Sequence, residues 1–260
     1  MSVQGHAPRR RFGQNFLVDA DVIAGIVRAV DPRPGDRVVE IGPGLGALTD
    51  LLLARAGRLD VIEIDRDLAA RLRATHSDAA LTVHEADALR FDWDAIPGTL
   101  RLVGNLPYNV STPLLFRVAE LAGRLRDAHF MLQREVVDRM VAEPGSAEYG
   151  RLSVMLQYRF RMEKVLDVSP ESFRPAPKVR SAVVRLEPHP VPGDVDVGVL
   201  AGVVTAAFTK RRKMLRNALA GVVPDDAIAA AGLDPACRPE TVSLAQFVAL
   251  ARLSRIPQGE

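Results

Sequence analysis

The apolar run Leu100–Gly104 reads as a buried strand and leads straight into Asn105-Leu106-Pro107-Tyr108. Open α/β sheets bind ligands outside the carboxyl ends of their strands, so this tetrapeptide stands where chemistry can be done. Its residue types suit transfer of a methyl group to an aromatic amine. The lone pair of such an amine is delocalised into the ring, which makes the nitrogen a poor nucleophile. The Asn105 side-chain oxygen and a neighbouring backbone carbonyl, both accepting from the amine N–H groups, would draw the nitrogen towards tetrahedral geometry and free the pair. A neutral amide does this without setting a full charge beside a cationic methyl donor. Pro107 fixes the turn. Tyr108 offers a π-face for a base, worth about 1–3 kcal/mol per base in single-strand binders. The plain alternative is a proline turn after a strand, with a packing tyrosine.

A second group lies upstream. Val38-Val39-Glu40-Ile41 reads as a strand that enters Gly42-Pro43-Gly44-Leu45-Gly46-Ala47 and then a helix. Glycines allow the tight turn and let a cofactor approach backbone N–H groups. Glu63 ends the next strand, 21 residues after Gly42, where a carboxylate can accept from ribose hydroxyls. Asp87, past the third strand, can accept from an adenine amine, or can simply be a cap or loop acid. Gly42-x-Gly44-x-x-Ala47 also satisfies the dinucleotide pattern, so these glycines alone leave a nicotinamide cofactor open.

Elements that could position these residues follow from periodicity. Asp19 is expected to cap a helix carrying Val22, Ile23, Ile26, Val27 and Val30. Strands at Arg37–Ile41, Leu59–Ile64, Leu81–Glu85, Leu100–Gly104 and Ala128–Gln133 are separated by helices at Leu45–Ala56, Asp67–Ala74 and Pro113–Ala122, with a further helix at Arg134–Ala142. That alternation predicts a parallel sheet with helices on both faces. Strands near Lys164–Val168 and Ser181–Glu187 are expected at an antiparallel edge. After the linker His189-Pro-Val-Pro-Gly-Asp194 only helical patterns remain. Leu200, Val204, Phe208, Leu215 and Leu219 predict one long helix, and Ser243-Leu-Ala-Gln246 spells a capping box for the last. The expected fold class is α/β: a doubly wound domain over residues 1–188, then a small all-helical domain over 189–260.

The chain has 260 residues, 34 Lys and Arg against 32 Asp and Glu, and one cysteine, Cys237. A lone cysteine excludes an internal disulfide and points to a reducing, cytoplasmic compartment. His6, His76, His84, His129 and His189 show no ligand spacing, so no metal is expected. A Walker A loop, a His-Glu-x-x-His run and a Gly-x-Ser-x-Gly elbow are all absent from the sequence, and so is an apolar run long enough to span a membrane. A net charge of +2 looks small for a nucleic-acid partner, but it is an average over both domains. Lys210, Arg211, Arg212, Lys213 and Arg216 fall within eight residues that hold no acid. In a helical domain appended to a core that could act on an aromatic amine, they favour RNA phosphate contacts over a merely solvated face. Arg9, Arg10 and Arg11, in an acid-free N-terminal arm, offer a second contact.

Seven stretches in order carry a resemblance: Arg10-Arg11-Phe12-Gly13-Gln14-Asn15-Phe16-Leu17, Glu40–Gly46, Val61–Asp65, Asn105–Asn109, Phe130–Gln133, Tyr149–Val154 and Phe173–Ser181. Through them the chain resembles the KsgA (RsmA) ribosomal RNA adenine dimethyltransferases, relatives of the Erm enzymes. The resemblance implies a Rossmann-like class I methyltransferase domain and S-adenosylmethionine as cofactor. It implies that Asn15 and Leu17 close over the cofactor, that Gly42 lies beside its methionine portion, and that Glu63 takes the ribose. It also implies Asp87 at the adenine, Asn105 as the catalytic asparagine with Leu106, Pro107 and Tyr108, and Tyr108 and Phe173 holding the target adenine. The implied substrate is a pair of adjacent adenosines in the 3′-terminal hairpin of 16S rRNA within a pre-30S particle, with the enzyme acting as a monomer. Arg180 departs from the pattern, where many members are expected to carry an acid. An Erm-like enzyme acting on 23S rRNA, a non-catalytic pre-30S assembly factor and, formally, a nicotinamide dehydrogenase are the competing readings.

Overall fold

The structure is a computed structural model that describes residues 9, 14–190 and 195–254. The chain divides into two compact units: Met1–Val137 with Arg161–Pro188, and Asp138–Phe160 with His189–Glu260. The boundary at 188/189 coincides with the linker read from the sequence. The segment 138–160 groups with the C-terminal residues.

The first unit holds strands β1 (Phe16–Leu17), β2 (Arg37–Ile41), β3 (Leu59–Glu63), β4 (Leu81–Glu85), β5 (Leu100–Asn105), β6 (Leu125–Gln133), β7 (Phe160–Val168), β8 (Phe173–Arg174) and β9 (Ser181–Pro188). Helices α1 (Ala20–Val30), α2 (Thr49–Ala56), α3 (Arg66–Thr75) and α4 (Ser111–Glu120) connect the strands, and α5 (Arg134–Met140) leaves the sheet. Seven strands form one sheet in the order β4-β3-β2-β5-β6-β9-β7, and β1 pairs separately with β8. Contacts from β4 through to β6 are parallel, and β9 runs antiparallel to β6. Val38, Val39, Leu102 and Val103 are wholly buried, as continuous apolar runs of a doubly covered parallel sheet must be. The strand order reverses between β2 and β5. This switch point opens a crevice at their carboxyl ends, and it is there that the glycine loop and Asn105 emerge.

Local signals fix some of the helix starts. The Asp19 carboxylate accepts from the N–H groups of Asp21 and Val22, and Asp65 caps α3 by accepting from Asp67. The helix after the glycine loop starts later than expected, at Thr49 rather than Leu45. Gly42, Gly44 and Gly46 all have positive φ, and their turns use up the residues that periodicity alone would have given to the helix.

The second unit contains α6 (Arg151–Gln157), α7 (Val197–Thr209), α8 (Leu215–Ala218), α9 (Asp225–Ala230) and α10 (Leu244–Arg252). Tyr149 and Phe208 meet edge to face at 6.1 Å, Phe208 lies 5.8 Å from Phe247, and the Tyr149 hydroxyl donates to the Val242 carbonyl at 3.0 Å. The capping box at Ser243 and Gln246 is present. The expected long helix through Leu219 is not. Helix α7 stops at Thr209, Lys210–Met214 form a turn, and α8 begins at Leu215. The Leu215 and Arg216 N–H groups find the Cys237 and Pro235 carbonyls instead of the preceding helical turn.

Candidate active site

A cavity of about 310 Å³ opens at the switch point, a volume within the range of small-molecule and cofactor pockets. It is lined by Asn15, Leu17, Gly42, Glu63, Asp87 and Asn105, and by Leu106, Pro107 and Tyr108. Nine positions singled out in the sequence therefore meet at one place, although they come from five separate segments.

The floor is the glycine loop. Gly42 and Gly44 have φ of 67° and 60°, and a Cβ on Gly44 would stand 3.2 Å from the Phe16 ring. Backbone is thus laid bare where a side chain would stand. Glu63 is 4 % exposed; one oxygen accepts from Gly44 N–H at 3.1 Å and the other from Asp65 N–H at 2.8 Å. Burial raises its pKa, opposed by these two hydrogen bonds. Asp87 is half-buried and one of its oxygens accepts from Leu89 N–H at 3.0 Å. It is a turn acid and a cavity wall at once.

At the other wall, Asn105 ends β5. Its Nδ2 donates to the Asn15 carbonyl at 3.0 Å. A carbonyl accepts only from the amide nitrogen, so this bond fixes which end of the amide is which. The Oδ1 acceptor has no partner among the described residues. Leu106 N–H donates to the Met131 carbonyl at 3.1 Å, and Pro107 closes a turn by accepting from Val110 N–H at 3.2 Å. Tyr108 is half-buried, and its hydroxyl lies 2.6 Å from Ser181 Oγ.

Phe173 is not brought to this cavity. It is wholly buried, pairs with Leu17 across the β1–β8 contact and packs in the core with Met131 and Val183. No face of its ring is open to a base. The aromatic signal in the sequence could not separate a ring that stacks on substrate from one that stacks on the core.

Glu40 lines the cavity but went unassigned in the sequence. It is 2 % exposed, and the Thr49 hydroxyl donates to it at 2.7 Å. Burial pushes its carboxyl up to about 8. A carboxylate inside an otherwise apolar strand was the available signal. Because Glu40 has an ordinary pKa of 4.5 when unfolded and about 8 when folded, the folded protein binds the extra proton between these values. This contribution to stability is complete below pH 4.5 and is lost as pH rises through 8. Glu40→Gln removes it. Melting temperatures measured from pH 5 to 8 are expected to show the parent losing stability relative to the variant as pH rises; parallel curves would contradict the shift.

In the second unit, Lys210, Arg212 and Lys213 are exposed in the turn after α7. Arg211 is half-buried, donates to the Ala147 carbonyl at 2.7 Å and pairs with Glu240 at 3.7 Å, so it braces the turn. Arg9 forms ion pairs with Asp65 and Asp67. Arg10 and Arg11 lie outside the described residues.

With its glycine loop and strand-end amide at the switch point of a doubly wound sheet, the protein is a class I S-adenosylmethionine-dependent methyltransferase. Residues 5–254 match the profile of the family described as ribosomal RNA adenine dimethylase. The chain belongs to that family, and its cofactor is S-adenosylmethionine. It is 58 % identical over 251 residues to the ribosomal RNA small subunit methyltransferase A of Dechloromonas aromatica, spanning 96 % of this chain and 98 % of that one. The protein of the same description from Laribacter hongkongensis is 60 % identical over 251 residues, 95 % of each chain. Among solved structures, a dimethyladenosine transferase from Plasmodium falciparum superposes with a TM-score of 0.78 at 23 % identity, covering 93 % of this chain and 100 % of that one. The 23S rRNA methyltransferase ErmE superposes with a TM-score of 0.74 at 29 % identity, covering 92 % and 98 %. Both share the Rossmann-like fold with a C-terminal helical part.

Proposed function

We propose that the chain dimethylates, at N6, two adjacent adenosines in the 3′-terminal hairpin of 16S rRNA, presented in a pre-30S particle to a cytoplasmic monomer. The observation that carries this reading is the Asn105 amide, anchored through its nitrogen with its oxygen left as an acceptor in the cavity. Similarity of 58 % to a small-subunit methyltransferase, against 29 % to ErmE, favours the small subunit over an Erm-like target.

In this reading Gly42, Glu63 and Asp87 hold the cofactor beneath Asn15 and Leu17. Bound there, S-adenosylmethionine supplies a methyl group activated on a sulfonium. Asn105 Oδ1 accepts from the adenine amine and withdraws its lone pair from the ring. Leu106 and Pro107 hold the turn, and Tyr108 stacks the base. The adenine amine would form the new N–C bond as the methyl C–S bond breaks, the demethylated thioether would leave, and the amine proton would pass to solvent. Orientation and a placed acceptor suffice without a protein nucleophile. The adenine must be unpaired to enter, as hairpin-loop bases are. Residues 1–137 with 161–188 form the methyltransferase part, and 189–260 together with 138–160 the RNA-binding part, with Lys210, Arg212 and Lys213 on phosphates and Arg211 holding their turn.

Transfer of labelled methyl to undermethylated 30S subunits, 50S subunits and free rRNA, run in parallel, tests the reading. Two doubly methylated adenosines are expected in the 30S arm. Preferential labelling of 50S would favour the Erm-like alternative. Particle binding without any labelling would favour an assembly factor.

A further inference from the structure

The adenine-binding reading gives Tyr108 a ring to stack on, but a stacking ring helps only if it is held. Tyr108 sits in an irregular loop between β5 and α4, where nothing regular fixes its orientation. Its backbone carbonyl accepts from the Ser111 hydroxyl at 3.2 Å, which ties the main chain and leaves the ring free to turn. At the far end of that ring, the phenol oxygen lies 2.6 Å from Ser181 Oγ.

Ser181 is well suited to act as a fixed post. It is wholly buried and is the first residue of β9, opposite Gln133, the last residue of β6. Because β9 is antiparallel to its neighbour, it begins at the edge where the parallel strands end. A residue at its start therefore faces the active-site loop from a paired, rigid position. The loop before it is also tied, since the Arg180 carbonyl accepts from Arg134 N–H at 2.9 Å. A hydrogen bond this short between two hydroxyls, one of them inside a sheet, leaves the phenol one orientation. A phenol is neutral at physiological pH and burial raises its pKa further, so it keeps both donor and acceptor capacity.

We infer that Ser181 is a positioning residue for methyl transfer: its hydroxyl holds the Tyr108 phenol and so sets the plane on which the target adenine stacks. The inference rests on the role given above to Tyr108. It predicts an effect on turnover rather than on particle affinity, because phosphate contacts dominate the latter.

The test uses the full chain with undermethylated small subunits and four variants: Ser181→Ala, Tyr108→Phe, their combination, and Tyr108→Ala. Ser181→Ala and Tyr108→Phe are each expected to lower kcat by about three- to tenfold, the loss of one buried hydrogen bond. The double variant should fall no further than either single, since both remove the same bond. KM for the particle and Kd for S-adenosylmethionine should stay within about twofold, on the same argument that phosphate contacts set particle affinity. The chain has three tyrosines, so ring-labelled carbon NMR resolves them, and Ser181→Ala should shift the Tyr108 resonance alone. Parental kcat in Ser181→Ala, or losses that multiply in the double variant, would overturn the inference. Parental turnover in Tyr108→Ala would overturn the base-stacking role itself. An inactive Tyr108→Ala beside an unaffected Ser181→Ala would remove only the Ser181 assignment.

Discussion

Asn105→Ala is expected to lower methyl transfer by about a hundred- to a thousandfold, the scale seen when a single preorganised transition-state partner is deleted. The variant takes away an acceptor in the cavity whose orientation the fold has already fixed. Its effect on cofactor affinity should be small, because the glycine loop, Glu63 and Asp87 are untouched. The lost bond to the Asn15 carbonyl is worth about 1 kcal/mol, so Kd for S-adenosylmethionine should rise no more than several-fold. Asn105→Asp separates two ideas. A carboxylate accepts well but cannot donate to Asn15, and its charge faces the carbonyl that held the amide. It should be as inactive as the alanine variant if orientation matters, and partly active if acceptance alone suffices. Single-turnover assays with calorimetric cofactor titration distinguish these results, and near-normal turnover of Asn105→Ala would end the assignment.

Gly104→Ala is expected to damage stability and cofactor binding together. A Cβ at this position would lie 2.5 Å from the Ile41 carbonyl oxygen and 3.1 Å from Leu106 Cδ2. The nearer contact is with backbone, and side-chain rotation cannot relieve it. Strands β2 and β5 must move apart at the point where one carries the glycine loop and the other Asn105. Overpacking of this kind costs about 1–3 kcal/mol. For a protein of this size each kcal/mol lowers Tm by roughly 2–4 °C, so a fall of about 2–12 °C is expected. Cofactor affinity should weaken as well, since Gly42 follows Ile41 directly. A Tm close to that of the parent, with unchanged cofactor affinity, would show that the strands tolerate the added methyl group.

Much of this architecture is legible in the residues because it rests on short-range rules. Apolar runs of strand length gave the parallel sheet, and Asp19 and Ser243 marked their helices through capping that acts within four residues. The site was legible for the same reason: its members follow strand ends, and the topology carries strand ends to one crevice. What escaped depends on partners distant in sequence. Phe173 is apolar and aromatic in either role, and only the Leu17 strand lying on it decides for the core. Arg101 passes without remark inside the apolar run Leu100–Gly104, yet it is buried against Asp36 and Asp127, partners that lie far off in sequence. The break after Thr209 depends on the Pro235 and Cys237 carbonyls, which no local pattern announces. Glu40 was visible as a motif member, but its raised pKa follows from a burial that only the assembled sheet supplies.

The division of the chain also sets a timetable for its own synthesis. Tyr149 donates to the carbonyl of Val242, 93 residues further on. At about 5–20 residues per second, roughly 5–20 s separate the emergence of the two from a ribosome. Until then Tyr149, Val154 and Leu156 have no completed interior to enter, although they are wholly buried at the end. The sheet is delayed in a similar way, because β9, inserted between β6 and β7, arrives after both of its neighbours. Nascent chains of this protein therefore pass through an interval with an unpaired β6 edge and an unhoused helix α6, and that interval gives a chaperone surface to protect.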